Sequence, residues 1–195
     1  MSESPVKMVD LFPAPIYEDQ GIWSYQYYED DNSARVYHGR LTFSVGYTAL
    51  GKYTITGQYS HGKREGAWVW QAIYNNKVVG KYVANYHNDL LDGDFSYQPL
   101  DVNMRGSFSN GQLIGTMTCT VTEFGRKRYY EAHYSNGGYP VGTWKFDNIH
   151  DGIVENIEFQ FLNNCLISET KIDQSTGKRR FYKNESDWEK EDNIM

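Results

Sequence analysis

Histidines, cysteines and neighbouring carboxylates are the residues of this sequence that could take part in catalysis or bind a metal. The five histidines are well separated along the chain: His38, His61, His87, His133 and His150. Imidazole metal ligands normally occur at short, clustered spacings, and the sequence contains no such cluster. His61 and His87 fall in or beside predicted turns, and His38 and His133 fall on the polar face of predicted strands. No motif places a nucleophile near His150-Asp151. The sequence therefore predicts no metal site and no catalytic triad.

The cysteines and paired carboxylates also have structural interpretations. Two cysteines are too few for a disulfide scaffold and badly spaced for zinc. Cys119 falls at an inward-facing position of a predicted strand, which favours a small core residue over a reactive thiol. Asp92 and Asp94 share a polar strand face, where solvation is expected rather than acid–base catalysis. Without a phosphate-binding loop or an HExxH motif, the chain is predicted not to be an enzyme and to need no cofactor.

The charge of the chain is concentrated at one end. The 195 residues carry 19 basic and 25 acidic side chains, a net charge of −6. Residues 184–195 hold five acids and one lysine, so this acidic tail accounts for −4 and the rest for −2. This balance argues against a general nucleic-acid binder. No apolar run approaches the ~20 residues of a membrane helix, and no secretory signal is visible, so a cytoplasmic location is expected.

An internal repeat organises the middle of the chain. Four segments align: 55–70, 82–97, 104–119 and 130–146. Each has an aromatic residue before a turn signal; the aromatic residues are Tyr59, Tyr86, Phe108 and Tyr134. The turn signals are His61-Gly62, Asn88-Asp89, Asn110-Gly111 and Asn136-Gly137. Asn-Gly between alternating runs predicts a β-hairpin, because both turn residues need positive φ.

Loop length predicts a register for each hairpin. Two-residue loops pair Gly57 with Gly66 and Ile55 with Trp68, then Ala84 with Gly93 and Tyr82 with Phe95, then Gly106 with Gly115 and Met104 with Met117. A three-residue loop that includes Gly138 pairs Ala132 with Gly142 and Tyr130 with Trp144. Every hairpin is thus predicted to place two small residues beside two large ones. Aromatic rings such as Tyr59 are expected to lie over neighbouring glycines, which compensates for glycine in a strand.

The flanking segments continue the same alternation. A less regular copy spans 23–44, and further hairpins are predicted around Asn163-Asn164 and over 173–178. The predicted fold is all-β: an elongated antiparallel meander of stacked hairpins with no long helix. Its predicted organisation is an extended or disordered lead-in over 1–20, a single hairpin array over 21–183 and the acidic tail over 184–195.

These hairpins resemble a known repeat family. The pattern Gly57-x-Tyr59-x-x-Gly62-Lys63-Arg64-x-Gly66 resembles the MORN repeat, and Gly66-Ala67-Trp68 and Gly142-Thr143-Trp144 are similar to its bacterial variant. The resemblance covers 55–146, and Ala84, Ala132, Asp89, Met104 and Met117 depart from the pattern. It implies a structural role for the repeated residues: Gly57, Tyr59, Gly62, Gly66, Trp68, Tyr86, Gly93, Gly106, Phe108, Gly111, Gly115, Tyr134, Gly137, Gly142 and Trp144. It also implies scaffolding, protein contacts or lipid binding, and some bacterial members are labelled antitoxin-like.

Binding is the expected function, and three kinds of ligand remain open. A partner protein is favoured, through exposed aromatic rings or end strands, which also allow a homo-oligomer. Some apolar residues fall on the strand face opposite the repeated aromatic residues, and they indicate either a second contact surface or a curled sheet: Val69, Ile73, Val79, Val83 and Ile114. Anionic lipid is the alternative, through Lys63-Arg64, Arg126-Lys127-Arg128 and Lys178-Arg179-Arg180. Carbohydrate binding in an aromatic groove is the least favoured.

Overall fold

The structure is a computed structural model, which describes residues 7–11, 15–16, 19–46, 51–123, 126–150 and 153–182. The acidic tail predicted over 184–195 lies outside the described residues. Contacts between Cα atoms divide the chain into two compact units. Unit 1 contains residues 1–100 and 108–111, and unit 2 contains residues 101–107 and 112–195.

The described residues form strands joined by turns, which confirms the predicted all-β antiparallel meander of consecutive hairpins. The first strands are β1 Lys7–Leu11, β2 Pro15–Ile16, β3 Asp19–Gln20, β4 Ile22–Glu29, β5 Arg35–Gly46, β6 Gly51–Ser60, β7 Lys63–Tyr74 and β8 Lys77–His87. The remaining strands are β9 Leu90–Pro99, β10 Val102–Ser109, β11 Gln112–Glu123, β12 Arg126–Tyr134, β13 Gly142–His150, β14 Ile153–Leu162, β15 Cys165–Asp173 and β16 Arg179–Tyr182. Across these residues, no helix has the length and hydropathy that a bilayer crossing requires.

Strand pairing follows the order of the chain within each unit. In unit 1, β1 pairs with β4, and β4 to β9 pair successively. The lead-in predicted over 1–20 therefore contains a paired strand, and β2 and β3 form a small sheet of their own. In unit 2, β11 to β16 pair successively in the same antiparallel manner.

The turns have the backbone geometry that their residues predict. Both residues of His61-Gly62, Asn88-Asp89, Asn110-Gly111 and Asn163-Asn164 have positive φ, as two-residue hairpin turns require. The fourth repeat differs, because positive φ falls on Gly138 (+77°) rather than on Asn136-Gly137. Ser135 donates its N–H to the Tyr139 carbonyl (2.9 Å), which closes the predicted three-residue loop.

The register predicted beyond the turns is wrong in the repeats 55–70, 82–97 and 130–146, because an irregularity of the β-bulge kind shifts the pairing within each of these hairpins. Next to the turns the pairs are as predicted, for example Gln58 with Glu65. The register then shifts by two residues, so that Ile55 faces Trp70 instead of Trp68. Gly57 and Gly66 are therefore not partners. The bulge follows from Gly66, whose φ of +66° is a conformation that L side chains rarely adopt.

The same correction applies to the other hairpins. Ala84 faces Phe95 rather than Gly93, and Tyr82 faces Tyr97 rather than Phe95. In the fourth repeat Tyr130 faces Phe146 rather than Trp144, and the Glu131–Lys145 pair excludes the register that would set Ala132 against Gly142. The pairs Gly106–Gly115 and Met104–Met117 stay predictions. The glycine after each turn has positive φ in five successive hairpins: Gly39, Gly66, Gly93, Gly115 and Gly142.

The repeated aromatic residue faces the bulge glycine of the preceding hairpin. Tyr59 is the direct partner of Gly39, and Tyr86 is the partner of Gly66. In unit 2, Tyr134 is the partner of Gly115, and Phe161 is the partner of Gly142. The repeat therefore joins one hairpin to the next through glycine–aromatic pairs, as well as closing each hairpin on itself.

The core of unit 1 lies on one face of its sheet. Tyr25, Tyr27, Leu41 and Trp68 are buried together, with Ile55 and Tyr59 among the side chains packed against them. Gly57 lies under the Trp68 ring, where a Cβ atom would overlap the indole. The ring that covers this glycine is thus Trp68 and not Tyr59. The Trp68 indole N–H donates to the Gln58 carbonyl (3.2 Å), and in unit 2 the Trp144 indole donates to the equivalent His133 carbonyl (2.9 Å).

Candidate functional site

The aromatic face of each unit has no covering layer in the described part of the chain. Within each unit, the extensive contacts there join strands that are paired in the sheet, with the addition of β3 against β5. The largest side chains are accordingly not sealed from solvent: none of those described has an exposed fraction below 2%. As far as the described residues of each unit are concerned, both faces of its sheet are therefore candidate binding surfaces.

A chain of ring contacts crosses unit 1. The Tyr37 and Tyr59 ring centroids are 5.3 Å apart, and Tyr59 and Trp68 follow at 5.2 Å. The chain continues from Trp68 to Trp70, Tyr82 and Tyr97. Its centre is buried, with Trp68 5% exposed, whereas its ends are open, with Tyr37 at 43% and Tyr97 at 44%. We call these residues the aromatic row; its rings meet in tilted and edge-to-face contacts, arrangements that aromatic pairs prefer.

Unit 2 has a shorter aromatic cluster that ends at a buried acid. Trp144 contacts Phe161 at 4.7 Å between ring centroids, and it also contacts Tyr134 and Phe146. Beside this cluster, Glu169 is 3% exposed and its Oε1 lies 3.3 Å from the Lys171 ammonium. The Lys171 ammonium also lies 5.2 Å from the Tyr182 ring centroid. The alternation of polar and apolar residues is thus broken on this strand, because the Glu169 carboxylate lies on the aromatic face as the partner of Phe159.

One cross-strand row on the face opposite the aromatic side chains differs in charge between the two units. In unit 1, successive cross-strand partners form an uncharged row: Ser24, Thr42, Thr56, Val69, Val83 and Ser96. Val69, Ile73, Val79, Val83 and Ile114, which the sequence marks as apolar on this parity, are all half-buried. In unit 2, the equivalent row carries charges of alternating sign at Glu131, Lys145 and Glu158.

Three turns in unit 1, at residues 61–62, 88–89 and 110–111, are each held by two backbone N–H groups, an arrangement we call the turn clamp. The second turn residue donates to a carbonyl of the preceding hairpin, as Asp89 does to Arg64 (3.1 Å). The first turn residue donates to the side chain that precedes the bulge glycine. These bonds are His61 N to His38 Nδ1 (3.3 Å), Asn88 N to Glu65 Oε2 (3.1 Å) and Asn110 N to Asp92 Oδ2 (3.1 Å).

The turn clamp corrects the interpretation of Asp92 as a merely solvated carboxylate, because its oxygen accepts a backbone hydrogen bond. Glu65 has a second partner, since the His87 Nδ1 lies 3.0 Å from its Oε1. Hydrogen bonds from His87 and from the Asn88 N–H hold the pKa of Glu65 below its ordinary value. The sequence signal for these acceptors is an Asp, Glu or His directly before a bulge glycine, and sequence reasoning did not use it.

A second polar arrangement lies on the charged face of unit 2. The Thr116 Oγ1 is 2.9 Å from the His133 Nδ1, and the His133 Nε2 is 3.2 Å from the Glu131 Oε1. The Tyr129 hydroxyl donates to the Glu131 Oε2 at 2.8 Å. Sequence reasoning placed His133 on the polar face but did not bring Thr116 or Glu131 to it. We call these four residues the polar relay.

The remaining candidate residues have structural partners. The His38 and His61 ring centroids are 5.1 Å apart, and both rings contact Tyr28. Cys119 is buried as predicted, and burial raises the pKa of its thiol, whereas Cys165 is exposed. The His150 side chain lies outside the described residues. Within the residues that are described, no group of three or more His, Cys, Asp or Glu side chains is placed to hold a metal ion.

Comparison with known proteins does not supply a family. No protein-family model matches this sequence. No curated protein matches it either. The hairpin repeats are compatible with MORN repeats, and membership of that family stays a prediction that rests on the residues quoted above.

Proposed function

We propose that the chain is a protein-interaction module that binds a partner through the aromatic row of unit 1. The observation that carries this proposal is an array of contacting rings that no other described layer of unit 1 covers and that has exposed tyrosines at both ends. Tyrosine and tryptophan give a large contact area at a low cost in side-chain entropy, and they are enriched at binding hot spots. A non-enzymatic scaffold of the MORN type, or an antitoxin-like or immunity-like protein, is consistent with such a surface.

The rigidity of the aromatic row supports this proposal. Each member contacts another ring of the row, and beside the row the Tyr86 ring contacts both Trp68 and Trp70. The Arg64 guanidinium lies over this Tyr86 ring, 4.2 Å from its centroid. The Arg64 Nε also pairs with the Asp89 carboxylate at 3.0 Å, which holds the stacked cation in place. Because these side chains lose little freedom on association, the entropic cost of binding is low.

Anionic lipid is the second candidate, and one observation favours it. Lys178, Arg179 and Arg180 are all exposed, whereas the cations of Arg64 and Arg128 are paired with acids. Each exposed cation near an anionic surface contributes about 1 kcal/mol. Flotation with phosphatidylserine vesicles, compared with phosphatidylcholine vesicles, separates this candidate from protein binding.

The test of the proposed function uses the full chain as bait in extracts of its own cells, with bound proteins identified by mass spectrometry. A Tyr37→Ser/Tyr97→Ser variant should lose at least 10-fold of the specifically captured protein, because both open ends of the aromatic row are removed. Phe181→Ser is the matched control, since it removes an exposed ring from unit 2. Equal capture by both variants, at unchanged melting temperatures, would contradict the proposal.

A further inference from the structure

We propose that Thr116 is an activated hydroxyl that accepts an acyl group from a neutral activated ester or thioester, with His133 as its general base and Glu131 as the residue that positions the imidazole. This modification site is independent of the aromatic row and goes beyond the proposed binding function. It lies on the polar relay of unit 2, whose four side chains come from the paired strands β11 and β12.

The hydrogen bonds fix the roles of the two imidazole nitrogens. Glu131 is an acceptor when ionised, so the His133 Nε2 carries the proton and donates to the Glu131 Oε1 (3.2 Å). In the neutral imidazole, the His133 Nδ1 is then the acceptor for the Thr116 hydroxyl at 2.9 Å. A hydroxyl, an imidazole and a carboxylate in this order form the arrangement that activates a nucleophilic oxygen.

Neighbouring groups hold the relay in this state. The Tyr129 hydroxyl first, and the His133 imidazole second, keep the pKa of Glu131 below its ordinary value. The same bond to Glu131 raises the pKa of Tyr129, so its hydroxyl remains a donor. The His133 carbonyl accepts hydrogen bonds from the Val141 N–H and the Trp144 indole, both at 2.9 Å. The backbone that carries the base is thereby fixed.

Exposure and charge indicate the class of donor. Thr116 is exposed, the His133 side chain is 33% exposed and the Glu131 side chain is 24% exposed, so access decreases from nucleophile to carboxylate. Thr116 and His133 are direct cross-strand partners, so solvent reaches the hydroxyl from above an open sheet. The adjacent row holds Glu131 and Glu158 against the single ammonium of Lys145. This excess of negative charge disfavours phosphoryl donors and leaves neutral acyl donors unopposed.

The transfer balances without a metal or an oxidant. The Thr116 Oγ1 attacks the acyl carbonyl carbon while its proton passes to the His133 Nδ1. The new Oγ1–C bond forms, the bond from the carbonyl carbon to the alcohol oxygen or thiol sulfur breaks, and the imidazole returns the proton to that leaving group. The products are O-acyl-threonine and a free alcohol or thiol.

The experiment exposes the full chain to p-nitrophenyl acetate, follows nitrophenolate release and locates the acetyl group by peptide mapping. We expect one acetyl group on Thr116 and a release burst of one equivalent. His133→Gln should slow labelling of Thr116 by at least 10-fold, because general base catalysis typically contributes ~10²–10⁴-fold. Glu131→Gln should slow it less. Thr118→Val, a change at the residue facing Glu131, is the matched control and should label Thr116 at the parental rate.

The map distinguishes this result from background acetylation. Acetyl groups confined to lysines, to the exposed Cys165 or to an imidazole would overturn the proposal. Labelling of Thr116 at an unchanged rate in His133→Gln would also overturn it, because the base would then have no role. Thr116→Val preserves the shape of the side chain and should abolish the burst. Circular dichroism and the aromatic-row capture assay should be unchanged in this variant, which separates a failure of this site from a failure of the binding function.

Discussion

The two units are built from the same hairpin but secure their turns differently. In unit 1, the residue before each bulge glycine is an acceptor: His38, Glu65 and Asp92 each receive a turn N–H. In unit 2, the equivalent residues are Ile114 and Val141, which have no acceptor on the side chain. No turn clamp of this kind forms in the described part of unit 2. The bulge and the glycine–aromatic pair therefore suffice for the hairpin, and the turn clamp is an addition.

The last turn of unit 2 shows a different solution to the same requirement. The Asp173 carboxylate accepts hydrogen bonds from the backbone and hydroxyl of Ser175 and from those of Thr176. The turn is thus held by a residue inside its own hairpin, as Asp30 holds the first turn of unit 1, whereas the three clamped turns are held by the preceding hairpin. The stability of a clamped turn consequently depends on the packing between hairpins, and that of the Asp173 turn depends on its own hairpin alone.

The largest effect is expected where a glycine lies under a ring. Gly57→Ala should destabilise the protein by about 3 kcal/mol, because its Cβ would overlap the Trp68 ring. Gly115→Ala in unit 2 should cost only about 1–2 kcal/mol, since a Cβ there meets nothing within 4 Å and the cost is that of its φ of +65°. Urea denaturation measures both, and an equal cost at the two sites would refute the distinction.

A smaller effect is expected from removal of a turn clamp. Asp92→Ala should cost about 1 kcal/mol, as the loss of a helix-capping acceptor does, because the Asn110 N–H loses its partner. Asp92→Asn retains an acceptor oxygen and should restore most of this loss. Hydrogen exchange supplies a second readout: the Asn110 amide should exchange more slowly than the Asn163 amide in the parent and lose that protection in Asp92→Ala. Equal exchange at the two amides in the parent would show that the turn clamp does not protect.

The smallest effect is a dependence on pH at the Asp173 turn. Hydrogen bonds from the Ser175 and Thr176 hydroxyls and backbones lower the pKa of Asp173 to about 2. Because the folded pKa lies below the ordinary value of 3.8, the ionised group stabilises the fold above about pH 4, and this contribution is lost as the pH falls towards 2. Denaturation midpoints of the parent and Asp173→Asn should differ at pH 6 and converge near pH 2. If the two denaturation midpoints still differed at pH 2, the effect of the substitution would have a cause other than ionisation of Asp173.

The sequence predicts the hairpins better than it predicts their partners. Asn110-Gly111 indicates a turn because both residues tolerate positive φ, and this local requirement can be recognised from two adjacent residues. The alternation of Ile55 and Tyr59 with threonines indicates a face, and both side chains pack on the predicted one. Gly66 was interpreted as a small partner for Gly57, because alternation shows which residues are small but not which φ they adopt.

The candidate surfaces could not be predicted from single hairpins, because they depend on which strands pair between hairpins and in which register. Thr116 meets His133 only because β11 and β12 pair in one particular register, and that register was not assigned from the sequence. The aromatic row similarly depends on pairings such as Tyr59 with Gly39, twenty positions apart. Sequence reasoning treated the rings as members of separate repeats, so it predicted an aromatic face without the order of its contacts.

The even placement of the bulge glycines has an evolutionary consequence. Gly39, Gly66 and Gly93 follow one another at intervals of 27 residues, and each occupies the same left-handed position after a turn. A gene segment encoding 27 residues could be duplicated or excised between these points while leaving every strand facing a compatible neighbour. Recombination can therefore lengthen or shorten unit 1 by whole 27-residue repeats.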